Sequence, residues 1–281
     1  MKKTLVLIPL VFVLIFLSTG CSLIFTTRIN SQYEKEIDVL ETKALKVTGI
    51  NGSLTVLVWE KDYVRVTGTK FVSGLSSSQV KAFNTSLDVV WSILGETLEI
   101  GLSRTDRPSG INYGVSMTVY VPRELYESQF LKTTNGSVSI SGISGKCVIE
   151  SSNGNINITG FEGSIYSVTS NGGYKINLCK LYGDNYFKTS NGPVVARLLT
   201  APTGRLEIYT SNGKIDFKLP WTAGAFLTAA TSNGNVDVQG FRSISFEKID
   251  KNDLRAEINN WRDLDLSLRT SNGDITLNGM Q

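Results

Sequence analysis

The stretch Thr169-Ser170-Asn171-Gly172 returns as Thr189-Ser190-Asn191-Gly192, Thr210-Ser211-Asn212-Gly213, Thr231-Ser232-Asn233-Gly234 and Thr270-Ser271-Asn272-Gly273. Close variants stand at Thr133-Thr134-Asn135-Gly136 and Ser151-Ser152-Asn153-Gly154. From Gly136 to Gly234 the copies are 18, 18, 20, 21 and 21 residues apart, and the last follows after 39. A period near 20 residues marks a repeat made of one short supersecondary unit, which buries its apolar face only by stacking on its neighbours.

The residues around the motif alternate. Two positions before the Thr slot stand Leu131, Ile149, Phe187, Ile208 and Leu268, and one position before it stand Lys132, Glu150, Lys188, Tyr209 and Arg269. Side chains alternate faces along a strand, so Thr points inward with the apolar set and Ser points out. After the Gly come pairs such as Val138 and Ile140, Ile156 and Ile158, or Ile275 and Leu277. Each unit is a strand, an Asn-Gly bend and a second strand, often closed by a glycine corner such as Gly142-Ile143-Ser144-Gly145.

Two all-β architectures satisfy this pattern. In a parallel β-solenoid of about 20-residue coils, equivalent positions stack about 4.8 Å apart. Asn135, Asn153, Asn171, Asn191, Asn212, Asn233 and Asn272 would then form a ladder along the turn, with Asn tolerating a left-handed bend. In the alternative, Asn-Gly is a two-residue hairpin turn and the repeats make an antiparallel meander or barrel. A hairpin needs only Asn-Gly, whereas stacked coils also give the flanking Thr and Ser a reason to match. That favours the solenoid.

The register extends weakly toward the N-terminus. Asn51-Gly52 lies between alternating apolar residues, 84 positions before Asn135, a distance near four repeat lengths that suggests eroded coils. Ser76 to Trp91 predicts a short helix with Val80, Phe83 and Leu87 on one face. Between Phe241 and Leu266 the motif is lost in a charged segment, either a degenerate coil or an inserted loop.

Lys2 and Lys3 precede an apolar run from Leu5 to Leu17, then Ser18, Thr19, Gly20 and Cys21. The run is short for a membrane span and suits a signal-peptide core. This end resembles a lipoprotein signal peptide, although Ser18 stands where that pattern usually has Leu. The expected organisation is a signal peptide over 1–20, a tether over 21–45 lipidated at Cys21, and a repeat domain over 46–281. The chain would be an extracytoplasmic lipoprotein of the cell envelope, held at the membrane by its acyl anchor.

Composition narrows the chemistry. The 28 Lys+Arg and 25 Asp+Glu nearly balance and form no runs within the repeats, which argues against nucleic acid as a partner. With no histidine in 281 residues, the commonest general base and metal ligand are missing. Asp216, Asp237 and Asp274 fall in different coils, so no catalytic residue, metal site or cofactor is expected. Cys147 occupies an inward slot and Cys179 follows a strand; a disulfide and two buried thiols both fit. Tyr166, Tyr182, Tyr186, Tyr209, Trp221 and Trp261 fall near corners or on outward parity, where a glycan or protein surface could pack.

From Val115-Ser116-Met117-Thr118-Val119-Tyr120-Val121-Pro122 through the motifs to Thr270–Leu277, the chain resembles an adhesin-like family of bacteria and archaea with Ser-Asn-Gly-rich β-solenoid domains. The resemblance implies the solenoid and a surface-binding role, and brings no catalytic residues. The leading expectation is a non-catalytic, adhesin-like envelope scaffold with a protein or glycan partner. A regulatory partner of an envelope signalling complex comes second, and a glycan-active β-helix enzyme third.

Overall fold

The computed structural model describes residues 26–39, 42–106, 108–123, 126–260 and 263–281. The expected signal peptide, Cys21 and Trp261 lie outside the described residues. In chain order, β1 (Thr27–Asp38), β2 (Ala44–Thr48), β3 (Leu54–Trp59) and β4 (Tyr63–Gly74) lead to α1 (Ser77–Ser86), β5 (Val89–Leu94), β6 (Thr97–Leu102) and β7 (Ile111–Pro122). The motif-rich region follows with β8 (Ser128–Thr133), β9 (Val138–Ser141), β10 (Ser144–Ser151), β11 (Ile156–Thr159), β12 (Glu162–Val168) and the long β13 (Tyr174–Lys188). Beyond it are β14 (Val194–Leu198), β15 (Thr203–Tyr209), β16 (Ile215–Pro220), β17 (Ala225–Asn233), β18 (Val236–Gln239), β19 (Ile244–Ile249), β20 (Asp253–Ile258), β21 (Leu264–Asn272) and β22 (Ile275–Met280).

Strand pairing decides between the two architectures. A hairpin would pair β8 with β9 across the bend. Instead β8 pairs in parallel with β10, and β9 in parallel with β11, each shifted by one repeat. The chain is a two-sheeted parallel β-solenoid. Sheet A runs β1, β4, β7, β3, β9, β11, the first part of β13, β14, β16, β22, β18. Sheet B runs β5, β6, β2, β8, β10, β12, the second part of β13, β15, β21, β17, β20, β19. Between the sheets the inward rows form one continuous core, with Phe161, Phe187 and Phe217 among its largest members. Ser167 takes a slot that other coils give to Val, Leu, Ile, Phe or Ala, and the same coil carries the buried ring of Tyr174, packed edge-on against Phe187.

Thr and Gly of the motif are explained by close approach between coils. Thr133, Thr169, Thr189, Thr210, Thr231 and Thr270 are all buried. Each Oγ1 donates to a motif-glycine carbonyl of the adjacent coil: Thr169 to Gly154 at 3.2 Å, Thr189 to Gly172 at 2.6 Å, Thr210 to Gly192 at 2.9 Å. These hydroxyls are therefore satisfied inside the core, where an unpaired one would cost about 1–3 kcal/mol. Except at Gly273, whose φ is 157°, the motif glycine is required by space alone and not by a left-handed backbone. A Cβ on Gly154 would lie 2.1 Å from the Gly136 carbonyl oxygen, and one on Gly172 2.1 Å from that of Gly154.

Several expectations are corrected, and others that stood open are decided. Residues 27–38 of the expected tether form β1, paired along its length with β4. Its alternation went unseen because the half-buried face mixes Ile29, Tyr33 and Ile37 with Ser31 and Lys35. Only part of the 84 residues between Asn51 and Asn135 is eroded coil: β6 and β7 stack in parallel on β2 and β3 as one coil without the motif. On its other side the coil of β2 and β3 stacks directly on that of β8 and β9, and β4, α1 and β5 leave the stack to build the end of the solenoid. Within it α1 begins at Ser76, which caps the Gln79 N–H, and buries Val80 and Phe83. The charged segment after Phe241 is the hairpin of β19 and β20, laid antiparallel on β17. The last repeat, β21 and β22, inserts between the coils of β15–β16 and β17–β18. Cys147 and Cys179 are separate buried thiols, and burial pushes the Cys147 thiol up to about 12.

Gly172→Ala should therefore lower stability by roughly 3 kcal/mol, because backbone must move to admit the methyl. Gly101→Ala, where a Cβ meets nothing within 4 Å, should stay within about 0.5 kcal/mol of wild type in the same denaturant melts. A thiol reagent should leave Cys147 and Cys179 unmodified in the folded protein at pH 8 and label both after denaturation. Labelling of the native protein at the unfolded rate would contradict their burial.

Candidate functional site

The asparagines stand in one row along the turn edge, in spatial rather than sequence order. Asn233 donates its Nδ2 to Asn272 Oδ1, Asn272 to Asn212, Asn212 to Asn191, Asn191 to Asn171, Asn171 to Asn153, Asn153 to Asn135 and Asn135 to Asn51. Asn51 ends the row by donating to the Tyr113 carbonyl at 2.9 Å. Only Asn51 among them is left-handed, with φ 52°, so the others are held by their neighbours rather than by backbone preference. The amides are engaged with one another, and the row reads as structure rather than as a ligand surface.

The expected acidic residues do not converge. Asp216 and Asp237 point outward from β16 and β18 with Thr276 of β22 between them, and Asp274 accepts from the Asn235 N–H at 2.9 Å. Among the described residues no three carboxylate or cysteine side chains gather in one place.

The outward faces of the two sheets differ. Sheet A presents Ser139, Asn157, Lys175, Asp216, Thr276 and Asp237 in one row, broken only by Val195. Sheet B presents Phe130, Val148, Tyr166 and Tyr186 on consecutive coils, followed by Glu207. The parallel register forces these side chains into a line, and the Tyr166 and Tyr186 rings stack at 5.0 Å with 12° between planes. Tyr209, one row toward the turn, leans against Tyr186 at 5.6 Å and donates to Glu207 Oε2 at 2.9 Å. Burial first, then Tyr166, Tyr209 and Glu207, push the Tyr186 phenol up, which keeps it neutral.

Beside Tyr209 the row drops from Arg269 to the small Ala230, and a cleft of about 500 Å³ opens there. Tyr186, Tyr209, Lys188 and Arg269 line it with the outward hydroxyls of Ser211, Ser232 and Ser271. Neither Lys188 nor Arg269 forms a salt bridge among the described residues. A second hollow of about 720 Å³ lies at the glycine corner, between Tyr126, Lys146, Tyr182 and Asp184. Of the aromatics singled out in the sequence, Tyr166 is 51% and Tyr182 48% exposed, and the structure brings Tyr166, Tyr186 and Tyr209 together. Trp221 sits apart, under Arg242 at 4.2 Å. Lys188 and Arg269 were legible only as outward residues. Because β21 inserts out of order, chain spacing does not reveal that Arg269 lies next to Tyr209.

A family model described as Toastrack DUF4097 matches residues 38–278. The chain belongs to the Toastrack DUF4097 family. This Toastrack domain is also similar to solved structures at low identity. One is a proposed cell adhesion protein from Clostridium sporogenes, at 10% identity over 90% of this chain and 100% of that one, TM-score 0.35. Another is a proposed adhesin from Bacteroides fragilis, at 12% identity over 88% of this chain and 97% of that one, TM-score 0.41. A third is a proposed lipid-binding protein from Parabacteroides distasonis, at 12% identity over 87% of this chain and 96% of that one, TM-score 0.33. At these scores the likenesses decide nothing about the Toastrack domain's ligand. No curated protein matches the chain.

Proposed function

We propose that the chain is an extracytoplasmic binding protein of the cell envelope, lipid-anchored at Cys21, which acts through the outward face of sheet B and catalyses no reaction. The observation that carries this reading is the contrast between the two outward faces along the motif coils, away from the Trp59, Tyr63 and Tyr120 cluster at one end of sheet A. Both are equally free of the demands of the core, yet sheet B gathers Phe130, Val148, Tyr166, Tyr186 and Tyr209 beside two cations without salt-bridge partners. Aromatic rings with hydroxyls and the cations Lys188 and Arg269 at their rim, the latter with Asp253 as a more distant counter-charge, suit a glycan carrying carboxylate or phosphate groups. The absence of histidine in the whole chain and the scatter of Asp216, Asp237 and Asp274 support binding rather than turnover. Among the described residues no helix is long and apolar enough to cross a membrane.

Tyr186→Ala and Tyr209→Ala should each weaken retention on purified envelope polysaccharide about tenfold, roughly 1.4 kcal/mol, with Asp237→Ala on sheet A unchanged. Equal losses from both faces, or none, would remove sheet B from the reading. Cys21→Ser should move the chain from the membrane to the soluble fraction and abolish the mass of the acyl group. Unaltered fractionation and mass would count against the anchor.

A further inference from the structure

A strand at the edge of a sheet carries unpaired N–H and C=O groups, and proteins blunt such edges with charge, irregularity, shortness or cover. Among the described residues the solenoid has four outermost strands. β1 is lined by Arg28, Glu34, Lys35, Glu36 and Asp38. β18 is four residues long, and its Val236 N–H is covered by the Lys251 carbonyl at 3.0 Å. β19 carries Glu247 and Lys248 and a register shift against β20. β5 has none of these devices. It reads Val89-Val90-Trp91-Ser92-Ile93-Leu94, pairs on one side only, and leaves Val90 43%, Trp91 43%, Ile93 45% and Leu94 60% exposed.

We infer that β5 pairs antiparallel with β5 of a second copy of this chain, joining the two B sheets across a two-fold axis through Ser92. The side-chain register is self-complementary about that residue. Across β5 and β6, Trp91 lies opposite Ile100 and Ile93 opposite Leu98, so both face inward, while Val90, Ser92 and Leu94 face out. Centring the pair on Ser92 sets Trp91 against the partner's Ile93 on the inner face and Val90 against the partner's Leu94 on the outer face. Every exposed apolar residue of the strand then meets another. Shifting the centre to Trp91 would leave Leu94 opposite an acidic neighbour of the strand, Asp88.

The same register sets Asp88 opposite the partner's Glu96, and each acid brings its own lysine, in the Lys35–Asp88 pair at 3.2 Å at one end of β5 and the Lys43–Glu96 pair at 2.6 Å at the other, so the two carboxylates meet only as neutralised pairs. A lipid surface is a poorer occupant, because an open strand edge cannot satisfy its backbone groups in hydrocarbon. The axis stands normal to sheet B, so sheet A of both copies faces the same way. β1 belongs to sheet A, so the Thr27 ends of both copies lie on that side. Two anchors could then enter one bilayer; this last step alone rests on the Cys21 reading.

The test uses the full chain in native membranes. Antiparallel neighbours have Cα atoms about 4.5–5.5 Å apart, within disulfide range. Ser92→Cys should pass on mild oxidation into a reductant-sensitive band at twice the chain's mass, whereas Ala82→Cys on the exposed side of α1 should stay monomeric. Adding Ile93→Lys to Ser92→Cys should abolish the band without shifting the melting temperature. No more crosslinking from Ser92→Cys than from Ala82→Cys, or a band at another mass from capture of a different protein, would overturn the inference. The band forms whether or not the chain is lipidated, so release of Cys21→Ser and crosslinking of Ser92→Cys fail independently.

Discussion

The contact between the motif glycine of one coil and the motif glycine of the next governs the rest of the structure. The Gly136, Gly154, Gly172, Gly192 and Gly213 backbones approach so closely that no side chain fits between them. The carbonyl so approached accepts from an inward Thr or Ser hydroxyl of the adjacent coil. The same approach brings the preceding asparagines within amide hydrogen-bonding distance. Thr, Asn and Gly are thus parts of one interlock, and Ser alone is left to solvent. Pinning every coil at the turn also fixes the register of both sheets. Outward residues at equivalent positions must then form straight rows, and that is how single tyrosines on successive coils become a stacked line.

A solenoid pinned in this way has a problem at its ends, where the core would be open and the outermost strands unpaired. Here the chain's own terminal repeats do not supply the ends. The first motif coil, β2 with β3, and the last, β21 with β22, are both interior, and segments nearer the middle of the chain fold back as covers. At one end α1, β4 and β7 close the core; at the other the β19–β20 hairpin lies on β17. Each terminal coil is therefore held on both sides. Neither end of the stack can be completed until the opposite partners of those coils are in place. This binds local repeats into a structure with long-range closure, which nearest-neighbour stacking alone would not give.

The parts of this design that repeat were legible in the sequence, and the parts that occur once were not. Parity about the motif placed Thr inside and Ser outside, because alternation survives any arrangement of the coils. The Asn row was legible in its members but not in its order, since Asn272 sits between Asn212 and Asn233 in space and 39 residues after Asn233 in the chain. The distance from Asn51 to Asn135 was half informative: β6 with β7 does stack as a coil without the motif, but a length near a multiple of the period could not say that the rest of the intervening chain departs. β1 was hidden because its inward positions include Ser31 and Lys35, a pattern that an end strand tolerates and an interior strand would not. The face of sheet B was half legible: outward aromatics could be read, but their neighbours across coils depend on the stacking order.

The asymmetry of the two faces and the bare edge of β5 belong to the same sheet, and together they constrain how the molecule could work. A row of stacked tyrosines stabilises the coils that carry it, but along the motif coils from β9 to β18 sheet A carries Ser, Asn, Lys, Asp and Thr without such help, its own outward rings, Trp59, Tyr63 and Tyr120, being gathered on β3, β4 and β7. Coil stacking therefore does not require the aromatics of sheet B. If sheet B continues through β5 into a second copy, the two aromatic rows lie on one face, on the side away from both β1 strands. Between Tyr166 and its symmetry mate stand β10, β8, β2, β6 and β5 of each copy. At about 4.8 Å per strand the two rows are roughly 50 Å apart. A ligand with one short epitope would gain nothing from that spacing. A polymer long enough to reach both rows would bind the second at high effective concentration, so that weak single contacts could sum to a firm attachment. The pairing of β5 would in this way select extended ligands over small ones, which suits the open cleft beside Tyr186 and Tyr209.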